Sequence, residues 1–191
     1  MVADPAATAL FVVDVQNGFV NRHSARVLSP VGRLVDGWLD SGAPVVFTRY
    51  ENRPGSPFER LLGARRFRAA PETDLHEELR ERVQRAAAVL TKHTYTCFTD
   101  DALALIRERG WRELVFCGIA TESCVLTCAT AAFDHGLVPW LVPDACASHA
   151  GPELHAAGLK VAARLIGAGQ LLTVEGALER VRGGRGESAT A

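Results

Sequence analysis

The sequence predicts an α/β fold: a three-layer sandwich in which a mostly parallel sheet of roughly six strands lies between helices. Three observations predict it. Short apolar runs alternate with longer amphipathic stretches. Most of the runs are rich in Val, Leu or Phe without polar alternation, as in strands buried on both faces. Three reactive residues, Asp14, Lys92 and Cys124, fall at or just beyond the ends of such runs. In a parallel sheet the C-terminal strand ends line one crevice.

Taken in order, the first run is Thr8–Val13, and it closes on Asp14. A helix over 31–39 follows, with Gly42 placed to end it in the left-handed region. The second run is 44–48. Segment 49–72 then breaks the rhythm, carrying Pro54, Gly55, Pro57, Gly63 and Pro71 among Arg53, Arg60, Arg65, Arg66 and Arg68. It is too long for an ordinary connection and reads either as a functional loop or lid or as a solvated excursion. Its arginines suit bidentate carboxylate contacts and suggest an acidic substrate. The third run, 88–91, meets Lys92. Thr99 or Asp100 can cap a helix over Asp100–Arg109, which Gly110 ends. The fourth run, 114–117, leads through Gly118 and Cys124 into a helix over 125–135, followed by Gly136. A run at 138–142, a helix at 153–167 and a run at 171–174 complete the alternation. Residues 183–191 are Gly-rich and polar and predict a disordered tail, which leaves 1–182 as one domain.

Composition bounds the function. With 48% hydrophobic and 23% charged residues in 191, the chain can bury the core of a single soluble domain. A net charge of -1 gives no global field for nucleic acid or an anionic membrane, so neither is an expected partner. No apolar run is long enough to span a bilayer. The five cysteines form no CxxC pair, no zinc spacing and no even-numbered disulfide framework. Residues 1–7 lack the cationic start of a signal peptide, and a reducing cytosol is the expected compartment.

Cys124 stands where a strand turns into a helix. That junction offers free backbone N–H groups and the positive end of a helix dipole, both of which favour a thiolate. Lys92, if close, would stabilise that thiolate. Asp14 could take the thiol proton and later serve the leaving group. The turn before Cys124 could aim the N–H groups of Ala120 and Cys124 at a carbonyl oxygen. Together these describe acyl transfer from an amide through a thioester, followed by attack of water. Each residue alone has an ordinary structural reading, as buried thiol, turn residue or solvated lysine. Their concurrence at three strand ends carries the chemistry.

Three motifs stand in order: Asp14-Val15-Gln16-Asn17-Gly18-Phe19, Lys92-His93-Thr94-Tyr95-Thr96-Cys97-Phe98 and Gly118-Ile119-Ala120-Thr121-Glu122-Ser123-Cys124-Val125. With these, residues 10–174 resemble the isochorismatase-like cysteine hydrolases, the superfamily that includes nicotinamidases and other small amidases. The resemblance implies Asp14, Lys92 and Cys124 as a catalytic triad, a cis peptide between Ile119 and Ala120, an oxyanion hole built there, and a homodimer or homotetramer. Nicotinamidases carry an acid–histidine metal cluster after their second strand, whereas residues 48–56 here contain no histidine. No catalytic metal or other cofactor is therefore expected, and nicotinamide becomes a less apt substrate. True isochorismatases typically lack the cysteine, so Cys124 argues for C–N bond hydrolysis of a small amide or ureido compound. A vinyl-ether hydrolase and a non-catalytic binding protein on the same fold are the alternatives.

Gln16, Phe19, Arg49, Tyr95 and Phe98 are the candidate pocket residues, each with packing or surface exposure as its ordinary reading. Cys128, one helical turn after Cys124, reads as packing or as a resolving thiol. Cys97, Cys117 and Cys146 read as packing residues. His149 and His155 flank a Gly-Pro turn and read as capping or solvated, within possible reach of the crevice. Asp144 reads as holding a loop.

Overall fold

Apolar runs without polar alternation become strands with no wet face. The computed structural model describes residues 6–188. Five strands form one sheet among these residues: β1 (Thr8–Val13), β2 (Val45–Tyr50), β3 (Ala88–Lys92), β4 (Glu113–Ile119) and β5 (Val138–Ala147), in the order β3-β2-β1-β4-β5 and parallel throughout. All six residues of β1, the central strand, are buried, which is why its sequence never alternates. The helices are α1 (Leu28–Asp40), α2 (Pro57–Leu62), α3 (Arg80–Gln84), α4 (Asp100–Arg109), α5 (Leu126–Asp134), α6 (Pro152–Leu165) and α7 (Val174–Ser188). Thr99 caps α4 by accepting from the Ala102 N–H, and Gly110 ends it at φ 66°, as the sequence predicts.

The strand order places β2 and β3 on one side of β1 and β4 and β5 on the other. The chain therefore reverses direction across the sheet between β1 and β4. Outside the carboxyl ends of those strands lies the crevice where open α/β sheets bind ligands. Gly118 permits the close approach there. Its φ is +118°, and a Cβ at that position would stand 2.1 Å from the Val13 carbonyl oxygen.

The sheet has five strands rather than six. Residue 171 makes one isolated parallel bridge to Leu141, with the Leu172 N–H donating to the Leu141 carbonyl at 2.9 Å. The chain then turns into α7 because both Asp144 carboxylate oxygens accept from the Val174 N–H, at 3.0 and 3.1 Å. Asp144 thus holds a loop, as its position suggests. The α7 backbone continues through 183–188, where composition predicts disorder, while residues 189–191 of that predicted tail lie outside the described residues. Segment 49–72 holds a short helix, α2, whose signals are present in the sequence. Ser56 accepts from the Glu59 N–H, Pro57 opens the helix and Gly63 closes it at φ 67°. No described helix is long and apolar enough to cross a membrane.

Candidate active site

Asp14 follows β1 with φ 49° and is fully buried. Its N–H donates to Thr48 Oγ1 at 3.2 Å, and that hydroxyl donates back to Asp14 Oδ1 at 2.7 Å. This clamp from β2 fixes the carboxylate and leaves Oδ2 facing Lys92, the last residue of β3, at 2.8 Å. Lys92 Nζ also donates to the Thr94 and Tyr95 carbonyls, at 2.8 and 3.0 Å, and to Cys124 Sγ at 3.4 Å. The three sequence-predicted residues therefore meet, with the ammonium in contact with both the carboxylate and the sulfur.

Cys124 lies in a π-helical turn, Thr121–Val125, that leads into α5. The peptide between Ile119 and Ala120, just before it, is cis. Three contacts hold this turn. Thr121 Oγ1 and His155 Nδ1 share a hydrogen bond at 2.7 Å, and Ser148 Oγ donates to Glu122 Oε1 at 2.7 Å. Gly158 of α6 packs so closely that a Cβ there would stand 2.7 Å from Glu122 Cα.

The electrostatics correct one expectation. Burial pushes the Cys124 thiol well above its ordinary value and the Asp14 carboxylate adds to that, while Lys92 opposes them. The sulfur therefore favours its thiol form, because loss of water outweighs the lysine. Burial alone would lower the Lys92 ammonium, but the Asp14 carboxylate holds it above the usual lysine range. The arrangement is a thiol beside a carboxylate–ammonium pair, in which the carboxylate is the natural proton acceptor.

Cys124 opens into a cavity of about 470 Å³. Two of the five candidate pocket residues, Phe19 and Tyr95, line it. The other three do not. Gln16 is fully buried, and its amide closes on the Tyr50 N–H and carbonyl and the Thr73 carbonyl at 2.8–2.9 Å. Arg49 bonds Thr91 Oγ1 at 3.2 Å and Glu51 at 3.1 Å, on the strand face opposite its neighbour Tyr50. Phe98 stacks on His135 with ring centroids 5.0 Å apart. Sequence reasoning missed Tyr50, Phe58, Phe67 and Glu122 as lining residues, and His149 reaches the cavity as well. Cys128 is fully buried and accepts the Cys97 N–H at 3.1 Å, a packing role. Among the described residues no cluster of three or more His, Cys, Asp or Glu side chains is placed to hold a metal ion.

A parallel sheet with this strand order carries a buried acid, lysine and cysteine at its crevice, the place where open α/β sheets bind ligands. The Isochorismatase domain family matches residues 8–175, and the chain belongs to that family. The uncharacterized isochorismatase family protein YddQ of Bacillus subtilis is 26% identical over 148 residues, covering 74% of this chain and 78% of YddQ. The ureidoacrylate amidohydrolase RutB of Acinetobacter baylyi is 30% identical over 190 residues, covering 81% of this chain and 76% of RutB. A cysteine hydrolase structure from Pseudomonas syringae pv. phaseolicola 1448A matches with a TM-score of 0.80 at 20% identity, covering 96% of each chain. The family is one of hydrolases that includes amidohydrolases.

Proposed function

We propose that this protein is a cysteine amidohydrolase that cleaves a C–N bond of a small amide or ureido compound through a thioester and uses no metal. The observation that carries the reading is Lys92 Nζ, which touches Asp14 Oδ2 at 2.8 Å and Cys124 Sγ at 3.4 Å. Cys124 is the group in this buried set that opens to the cavity, and the likeness to an amidohydrolase supports the reaction class. The absence of histidine from residues 48–56 supports independence from a metal.

In this mechanism Asp14 accepts the Cys124 proton as Sγ attacks the carbonyl carbon. Lys92 stays protonated and balances the charge that moves between acid and sulfur. The carbonyl oxygen becomes an oxyanion received by the N–H groups of Ala120 and Cys124. When the tetrahedral intermediate collapses, Asp14 returns the proton to the leaving nitrogen, and ammonia or an amine departs from the thioester. Asp14 then deprotonates a water that attacks the thioester carbon, and the thiol is restored as the acid leaves.

Ammonia release across a panel of primary amides and ureido compounds tests this. Release by the wild type should be abolished by Cys124→Ala. Full turnover by that variant would overturn the mechanism.

A further inference from the structure

Five Phe and Tyr rings line the cavity at Cys124 and touch one another as a continuous wall. Phe19 stacks on Phe67 with centroids 4.0 Å apart, and Phe67 meets Tyr50 at 5.9 Å. Phe58 meets Tyr50 at 5.0 Å and Tyr95 at 4.8 Å. The volume of about 470 Å³ falls within the range of small-molecule sites, roughly 300–1,000 Å³. A bare amide group would leave most of this apolar surface facing water.

The charged groups that line the cavity are already engaged. Arg65 pairs with Glu59 at 3.5 Å and Arg66 with Glu72 at 2.7 Å. The backbone fixes both acids in place, because Glu59 accepts the Gly55 N–H at 2.7 Å and Glu72 the Phe67 N–H at 2.6 Å. The two arginine side chains are also 79% and 66% exposed, so water screens what charge remains. Glu122 Oε1 accepts the Ser148 hydroxyl at 2.7 Å, and its Oε2 is buried. Asp14 and Lys92 neutralise each other. The Asn52 amide is spent within the excursion: it donates to the Ala64 and Arg66 carbonyls and accepts the Arg53 N–H and the Ser56 hydroxyl. Burial above all lowers the His149 imidazole below its ordinary value, so it is neutral at pH 7.

We infer that the substrate of this site is an amide whose acyl group carries an uncharged hydrocarbon ring, seated against the wall of Phe19, Phe67, Tyr50, Phe58 and Tyr95. Burial of the ring supplies the affinity, and face and edge contacts with the wall orient it. A carboxylate or ammonium on the ring would lose its water and meet no free counter-charge. The inference deepens the amidohydrolase reading and rests on it for the word amide. It also reverses the acidic-substrate expectation that the arginines of segment 49–72 raise.

Thiol labelling tests the wall without requiring turnover. The other four cysteines are at most 1% exposed and Cys124 is 7% exposed, so labelling reports the cavity. Benzyl, methyl, cationic aminoethyl and anionic sulfonatoethyl methanethiosulfonates are compared at Cys124 by peptide mass, each rate normalised to free 2-mercaptoethanol. The normalised benzyl rate should exceed each of the others by about tenfold or more, the factor expected for burying one ring. Phe58→Ala should cut that advantage about threefold, the worth of one aromatic contact. A benzyl rate no greater than the methyl or a charged one, or an advantage that Phe58→Ala leaves unchanged, overturns the inference; should that variant not fold, the wild-type rates decide. Hydrolysis of phenylacetamide, 4-carboxyphenylacetamide and acetamide forms the second arm. Phenylacetamide should be favoured over both, mainly through KM, and Phe58→Ala should narrow the gap. Amides hydrolysed without this preference overturn the inference and leave the amidohydrolase standing. Benzyl-favoured labelling with no ammonia from any amide overturns the amidohydrolase and leaves the apolar-ring site standing.

Discussion

Lys92 Nζ stands 2.8 Å from Asp14 Oδ2, and the two side chains are 1% and 0% exposed. Neither charge can be solvated alone. Asp14→Asn or Lys92→Met should each cost about 3–5 kcal/mol, because the surviving charge is left buried and unpaired. The double variant should cost clearly less than the sum of the two. Urea unfolding of the four proteins checks this.

Stability should fall on the alkaline side. Burial raises the Cys146 thiol from an ordinary 9.0 to about 12, and Tyr50 is likewise pushed from 10.0 to about 12, mainly by burial. In both groups the folded state holds its proton where the unfolded chain has lost it. Their contribution is therefore complete below the unfolded pKa and is lost as pH rises from 9 toward 12. Lys92, also raised, adds in the same direction. For Cys146 alone the loss should be about 2 kcal/mol by pH 10.5, seen as a falling urea midpoint with an unchanged slope.

Gly118 should not tolerate a side chain. Gly118→Ala places a Cβ 2.1 Å from the Val13 carbonyl oxygen at φ +118° and should cost about 3 kcal/mol or more. Gly55, at φ +72° with nothing within 4 Å of its Cβ position, is the matched control and should cost about 1 kcal/mol. Thermal unfolding of the two variants separates steric overlap from backbone preference.

Tyr50 should be important for ligands and not for folding. Its hydroxyl is buried in the cavity wall and has no hydrogen-bond partner among the described residues. Tyr50→Phe removes that orphaned group and keeps the ring, so stability should be unchanged or higher by up to about 1 kcal/mol. If the hydroxyl meets substrate, kcat/KM should fall in the same variant. Paired unfolding and kinetic measurements check both halves.

The meeting of Asp14, Lys92 and Cys124 was legible because strand ends of a parallel sheet converge, and short apolar runs mark those ends. The state of the sulfur was not. A helix start can be read from sequence, but the depth of burial that raises the thiol depends on how α6 closes over the turn. The cavity wall was least legible. On β2 the reactive-looking Arg49 turns away while Tyr50 faces the site, a choice set by strand phase. Phe58 and Phe67 belong to the excursion 49–72, whose fold-back depends on long-range contacts such as the Asn52 N–H donating to the Phe67 carbonyl at 2.7 Å. The run at 171–174 read as a strand because its one signal was apolarity, and the Asp144 cap that ends it lies 30 residues away.

The most direct measurement is the mass of the protein quenched during turnover of the best amide from the panel. The account predicts an adduct equal to the acyl portion of the substrate on the peptide that contains Cys124, and no adduct or turnover in Cys124→Ala. Turnover that leaves Cys124 unmodified and persists in Cys124→Ala would contradict it.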